Sequence, residues 1–248
     1  KLTWGNTAAI VQLVEKMVKR EGIGDLLADG VKRAADRIGK GAEKMAIHAG
    51  GQELGMHDGR YDPGFALHNV VEPTPGRHTI GAYMYYEMFR LWRTMPDLPD
   101  PSLFYLKRSK YRANREKAAM GAACSQYMNV INGAGCCLFG ALMGAHRIPV
   151  FDWLNAATGW GHSPEGYMVV GHRIQTVKQL FNIRQGIQPK DIRLSKRVLG
   201  DPPQQEGANK GVTVPLEKLR RYYWSAMGFD PETGVPTPGC LGRLDLKI

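Results

Sequence analysis

The 248-residue chain is 43% hydrophobic and 23% charged, the balance of a globular protein long enough for one large or two modest domains. No apolar run approaches the ~18–20 residues that span a bilayer, and four cysteines without a regular framework fit a reducing cytoplasmic location better than a secreted disulfide scaffold. The 33 Lys and Arg against 23 Asp and Glu give a net charge of +10, so charge alone leaves nucleic acid or an acidic protein open as partners.

The spacing of Ile10, Val11, Leu13, Val14, Met17 and Val18 predicts a helix with Thr7 as its cap and Gly22 at its end. Asp25 opens a second predicted helix, with Leu26, Leu27, Val31, Ala34, Ala35 and Ile38 inward and Gly39 as the stop, so the two form an antiparallel pair. The stretch 50–75 is dense in Gly, Pro and Asp and is expected to be a folded loop, the kind of segment where site residues sit. Helical spacing returns from Ile80 to Trp92, with Tyr83, Tyr86 and Phe89 as anchors. Beyond the Pro96–Pro101 interruption comes a basic run of Lys107, Arg108, Lys110, Arg112, Arg115 and Lys117, interleaved with Tyr105 and Tyr111. Its ordinary reading is a solvated helix face. No nucleic-acid module accompanies it, so no nucleic-acid partner is expected.

A short helix is predicted over Val150–Ala157. A long one begins at Ser163-Pro164, a cap followed by proline at the first helical position. Its stripe of Tyr167, Val170, Ile174, Val177 and Phe181 marks about 30 Å of helix at ~1.5 Å per residue. The stretch 188–214 is poor in apolar residues and is expected to be an exposed connection. Leu216–Met227 is the last clear helix, with Gly228 at its end. No run alternates strongly enough for an extended sheet, so the fold class is mainly α.

The run from Asn132 through Gly135, Cys136 and Cys137 to Phe139 places thiols in a glycine-rich bend ahead of an apolar stretch. Two readings compete: a buried helix start in which cysteine acts as a small hydrophobe, and a thiolate ligand for an iron–sulfur cluster with glycines that admit a bulky cofactor. No pair among Cys124, Cys136, Cys137 and Cys240 has Cys-x-x-Cys spacing. His68, His146, His162 and His172 lie at no consistent metal-ligand spacing. Ser102 and Ser163 have no paired base, and no phosphate-binding glycine loop is present.

With its surroundings, the run resembles the Asp-x-x-Gly-Leu-Cys-Leu-Phe segment of the tungsten-dependent aldehyde:ferredoxin oxidoreductase family. Cys137 then takes the cluster position. Asn132 falls on the family Asp, Gly135 on its Gly and Cys136 on its Leu, so the pattern is kept in shape and changed at two places. The resemblance extends over nearly the whole chain. Trp4-Gly-Asn-Thr7 with Arg20–Arg33 is similar to the helical hairpin of the family's middle domain. Glu53–Arg60 and Pro73–Thr79 are similar to its Asp-Pro-Arg turn and His-bearing loop, and Gly228–Thr237 to its usual ending. His78 stands twenty positions after Asp58, where the family places its active-site His; Gly59 replaces the proline of the turn, and structural ion pairing is expected of Asp58 and Arg60.

The resemblance implies helical domains like the C-terminal half of such an enzyme, with residues 1–47 ending the middle domain and 48–248 forming the last. It implies a tungsten or molybdenum bis-pterin contacted by Asn132 to Cys136, a [4Fe-4S] cluster bound by Cys137, and His78 facing an aldehyde. Ferredoxin is the implied electron acceptor, with the basic run as a docking site. The family's β-rich N-terminal portion and its Cys-x-x-Cys-x-x-x-Cys ligands have no counterpart in this sequence, which begins at Lys1. The chain is therefore expected to act as part of a larger enzyme, with a homo-oligomer open. A benzoyl-coenzyme A reductase-type subunit of the same family and a cofactor-free helical scaffold are the alternatives.

Overall fold

The computed structural model describes residues 2–101 and 107–247. Ser102 and Tyr105 lie outside the described residues, as do the side chains of Lys107 and Arg108. The architecture is predominantly α-helical, and the one sheet among the described residues is a two-stranded hairpin.

α1 (Thr7–Lys19) is capped by Asn6, whose side chain accepts the Ala9 N–H, rather than by Thr7. It closes on Arg20 in the left-handed conformation, φ 54°, before Gly22 is reached. None of its residues is buried, and Val11 and Val18 are 60% and 80% exposed. The predicted second helix is two pieces, α2 (Ile23–Leu27) and α3 (Gly30–Ile38), broken at Ala28 and Asp29. Gly39 ends α3 as expected, but only Ala34 and Ala35 are buried on it. The hairpin of β1 (His48–Ala49) and β2 (Gln52–Glu53) follows, and the Glu53 carboxylate accepts the Val31 N–H at 2.6 Å, tying α3 to the rest of the fold.

The expected loop over 50–75 instead contains α4 (Pro63–Val71), buried at every position. Asp62 caps it by accepting the Gly64 N–H, and Pro63 opens its first turn. Periodicity could not reveal it: a helix enclosed on all sides has no polar face to contrast with an apolar one. α5 (Tyr83–Phe89) packs beside it, and its first turn is held by the same Asp62 carboxylate, which accepts the N–H groups of Tyr83 and Met84.

After α6 (Lys107–Lys110), α7 (Arg115–Gly133) is the central post. From Lys117 to Ile131 only Ala119 and Gln126 escape full burial. The basic run is therefore not one solvated face. Lys117 is buried, its ammonium donates to the carbonyls of Ser109 and Lys110, and desolvation lowers its pKa to about 8.

The remaining elements are α8 (Leu138–Ala141), α9 (Val150–Thr158), α10 (Pro164–Arg184), α11 (Lys196–Leu199), α12 (Leu216–Ala226) and α13 (Pro238–Arg243). Ser163 caps α10 as predicted, but the helix faces the other way. Met168, Gln175, Thr176 and Gln179 are buried with Tyr167, while Val177 and Phe181 are 49% and 61% exposed. The inward polar groups are hydrogen-bonded. Asn129 donates to Gln175, Tyr223 donates to Ser125, and Ser125 donates to the buried Glu72, so one polar network joins α7, α10 and α12 to the end of α4. Residues 188–214 are also more integrated than expected, since Pro189, Ile192, Leu194 and Val214 are buried. The outlying part is 201–211, exposed except at Asn209.

Candidate functional site

α7 ends in a Schellman motif: the Cys136 N–H donates to the Ile131 carbonyl and the Gly135 N–H to that of Asn132, with Gly135 left-handed at φ 71°. Gly135 is thus demanded by helix termination. A Cβ there would meet nothing within 4 Å, so the motif's tip is open. Cys137 then sits at the cap of α8. Both Cys136 and Cys137 are exposed free thiols, which removes the buried-hydrophobe reading of this motif. Cys124 and Cys240 are the buried ones; their thiols donate to the carbonyls of Ala82 and Met227, and burial raises both pKa values.

His78 is half-buried on the loop between α4 and α5. Its ring lies against the backbone of Gly55, where a Cβ would stand 2.5 Å from Nδ1. The His57 ring is 4.8 Å away and is itself stacked on Phe65 at 4.4 Å. Burial, then the proximity of His57 and Arg77, lowers the His78 pKa from its ordinary value, which favours the neutral imidazole. Neither ring nitrogen has a hydrogen-bond partner among the described residues.

Arg77 joins the two loops. Its Nε donates to Thr79 at 2.8 Å, fixing the turn beside His78, and its Nη2 donates to the Asn132 side-chain Oδ1 at 3.4 Å, across 55 residues of sequence. Lys178 stands behind them, its ammonium 3.4 Å from Asn129 Oδ1, and burial lowers its pKa against the opposing pull of Glu72. His78, Arg77, Asn132 and the cysteine loop therefore share one surface. Ile174 of the outward α10 stripe borders it, 3.4 Å from where a Cβ on Gly133 would be.

Asp58 and Arg60 form a two-pronged ion pair at 2.8–3.2 Å, and Asn209 adds a further bond to Asp58. Against the effect of partial burial, Arg60 holds the Asp58 carboxyl below its usual pKa. This is a brace for the outlying 201–211 segment. Of the other histidines, His68 is buried with both nitrogens on carbonyls, His172 bonds the Met227 carbonyl, and His146 and His162 are exposed. Among the described residues no three His, Cys, Asp or Glu side chains gather to hold a metal ion. The sequence reading missed Gly55, His57 and the bridging role of Arg77.

The model for domains 2 and 3 of aldehyde ferredoxin oxidoreductase matches residues 1–246. The chain belongs to that family. It is 32% identical to the tungsten-containing aldehyde ferredoxin oxidoreductases of Pyrococcus furiosus and Thermococcus kodakarensis, over 94% of its own length and 36% of theirs. A WOR-like subunit of aliphatic sulfonate oxidoreductase from P. furiosus is 35% identical over 99% of the chain and 36% of that protein. In fold, the chain is similar to the active-site complex BamBC of benzoyl coenzyme A reductase, with TM-score 0.64 and 23% identity over 99% of this chain and 40% of that one. The chain thus spans about a third of the length of its curated relatives, and no described helix is long and apolar enough to cross a membrane.

Proposed function

We propose that this chain supplies part of the active-site wall and one cluster ligand of a tungsten or molybdenum bis-pterin enzyme that oxidises aldehydes to carboxylic acids. The observation that carries the reading is the Arg77 bridge, which brings the His78 loop and the cysteine loop onto one open surface. The donor set fits in part. Cys137 offers an exposed thiolate suited to an iron–sulfur cluster, and three further ligands have to come from outside the described residues. Asn132 to Cys136 present amide and backbone groups to a pterin, while Arg77 and Lys178 bring positive charge to the same surface.

Bound against Asn132 to Cys136, a metal–pterin would supply two-electron acceptance, and a [4Fe-4S] cluster held in part by Cys137 would supply one-electron transfer toward ferredoxin. Conversion of an aldehyde and water to an acid also releases two protons. His78 is placed to handle one of them: its neutral ring accepts a proton at one nitrogen while the other donates a hydrogen bond to the aldehyde oxygen. Gly55 and His57 fix the ring's position, and Arg77 sets the loop that carries it. The exposed apolar side chains Val177, Phe181 and Phe139 form the seat on which the remainder of the enzyme closes, with residues 1–47 and 48–248 as parts of two helical domains.

The test is His78→Asn in the assembled enzyme. Turnover with aldehyde should fall about 10²-fold or more, with tungsten, pterin and iron near wild-type levels. Unchanged turnover would refute the role of His78. Turnover with benzoyl-coenzyme A in place of aldehydes would assign the chain to ring reduction, and a native assembly free of metal and pterin would leave it a scaffold.

A further inference from the structure

A second concavity lies between α5 and the turn after α8, a cleft of about 760 Å³, within the size range of small-molecule sites. One wall is apolar and adaptable: Met84 and Met88 project from α5, Met143 from the facing turn, and Trp92 completes the wall. The other wall is cationic. Arg90 ends α5 in the left-handed conformation at φ 52°, and the one-turn helix Leu91–Arg93 that follows carries Arg93 into the same cleft. The turn bearing His146 and Arg147 is fastened to α5 by the Ala145 N–H, which donates to the Phe89 carbonyl at 2.8 Å.

Backbone bonds thus draw three guanidiniums together, and none of the three has a side-chain hydrogen bond or ion pair among the described residues. Their proximity is felt by His146, whose pKa is lowered by desolvation and then by Arg90, Arg93 and Arg147. Three carboxylates also line the cleft. Asp62 accepts the N–H groups of Gly64, Tyr83 and Met84, Asp100 has a partner of its own, and Glu87 stands on α5. At the far end Lys110 lies over the Tyr61 ring at 4.2 Å. The four cations of the lining, Arg90, Arg93, Arg147 and Lys110, exceed its three carboxylates by one, and the clustering of three guanidiniums is a repulsion that an anion relieves.

We infer that this cleft binds an amphipathic organic anion, with a sulfonate or carboxylate headgroup on Arg90, Arg93 and Arg147 and an aliphatic or aromatic body on the methionine wall. Guanidinium forks suit such planar or multi-oxygen headgroups. The inference stands on the cleft alone and does not require the redox reading above.

The experiment is calorimetric titration of the protein in its native assembly with hexanesulfonate, hexanol and inorganic sulfate. Hexanesulfonate should bind most tightly, and the R93Q/R147Q double variant should weaken it at least about tenfold. Both arginines are exposed, so the variant should melt as wild type does. Saturation with hexanesulfonate should also raise the His146 pKa in an NMR titration. Equal affinity in the double variant, or an unmoved His146, would overturn the site. Sulfate or hexanol binding as tightly as hexanesulfonate would overturn the amphipathic assignment.

Discussion

Gly55→Ala tests how the fold holds its candidate catalytic imidazole. The new Cβ would lie 2.5 Å from His78 Nδ1 and 2.8 Å from Cγ, so the ring must retreat by about 1 Å to reach an ordinary contact near 3.4 Å. Gly55 does not have a positive φ, so alanine brings no backbone strain and the effect is steric. Overpacking costs ~1–3 kcal/mol; the low end is expected because His78 is only half-buried and can swing toward the open surface. Displacement of a reacting group by about 1 Å can cost ~10²-fold in rate. Aldehyde-dependent dye reduction should therefore fall about 10²-fold, with metal content and melting temperature little changed. Gly242→Ala, with nothing within 4 Å of the new Cβ, is the control and should retain full turnover. Wild-type turnover in Gly55→Ala would refute the positioning argument.

Gly171→Ala would set a Cβ 2.0 Å from the Gln126 carbonyl oxygen, forcing α7 and α10 apart, so its unfolding free energy in urea should drop by at least the usual ~1–3 kcal/mol of overpacking and its midpoint should fall with it; an unchanged midpoint would contradict the crossing. His172 is largely buried with its pKa lowered, first by desolvation, so the unfolded chain takes up its proton at the higher pH. Stability should therefore decline as pH falls from about 6.5 toward the folded-state pKa, and His172→Gln should flatten that decline in denaturation curves collected between pH 5 and 8.

Helices with a capping signal or a distinct end were legible in the sequence, as α10 with Ser163 and α12 with Gly228 respectively illustrate. Orientation was not. The stripe containing Val177 and Phe181 pointed outward because the inward face of α10 satisfies Gln175, Thr176 and Gln179 by hydrogen bonding, and periodicity alone does not tell a core from an open seat. α4 escaped for the opposite reason, being buried all round, its polar His68 and Asn69 included. In the candidate site, His78 and the cysteine loop were reached through motif resemblance. Gly55 and Arg77 act through tertiary proximity, over 23 and 55 residues of sequence respectively, which no local pattern encodes.

The most direct measurement is electron paramagnetic resonance of the reduced native assembly carrying either Cys137→Ser or Cys136→Ser. The two thiols are adjacent and both exposed, so a general disturbance of the loop would affect both variants alike. If Cys137 alone ligates the cluster, its variant should lose or shift the [4Fe-4S] signal and lose iron, while Cys136→Ser keeps both. A wild-type spectrum and full iron content in Cys137→Ser would contradict the assignment of this loop to the cluster.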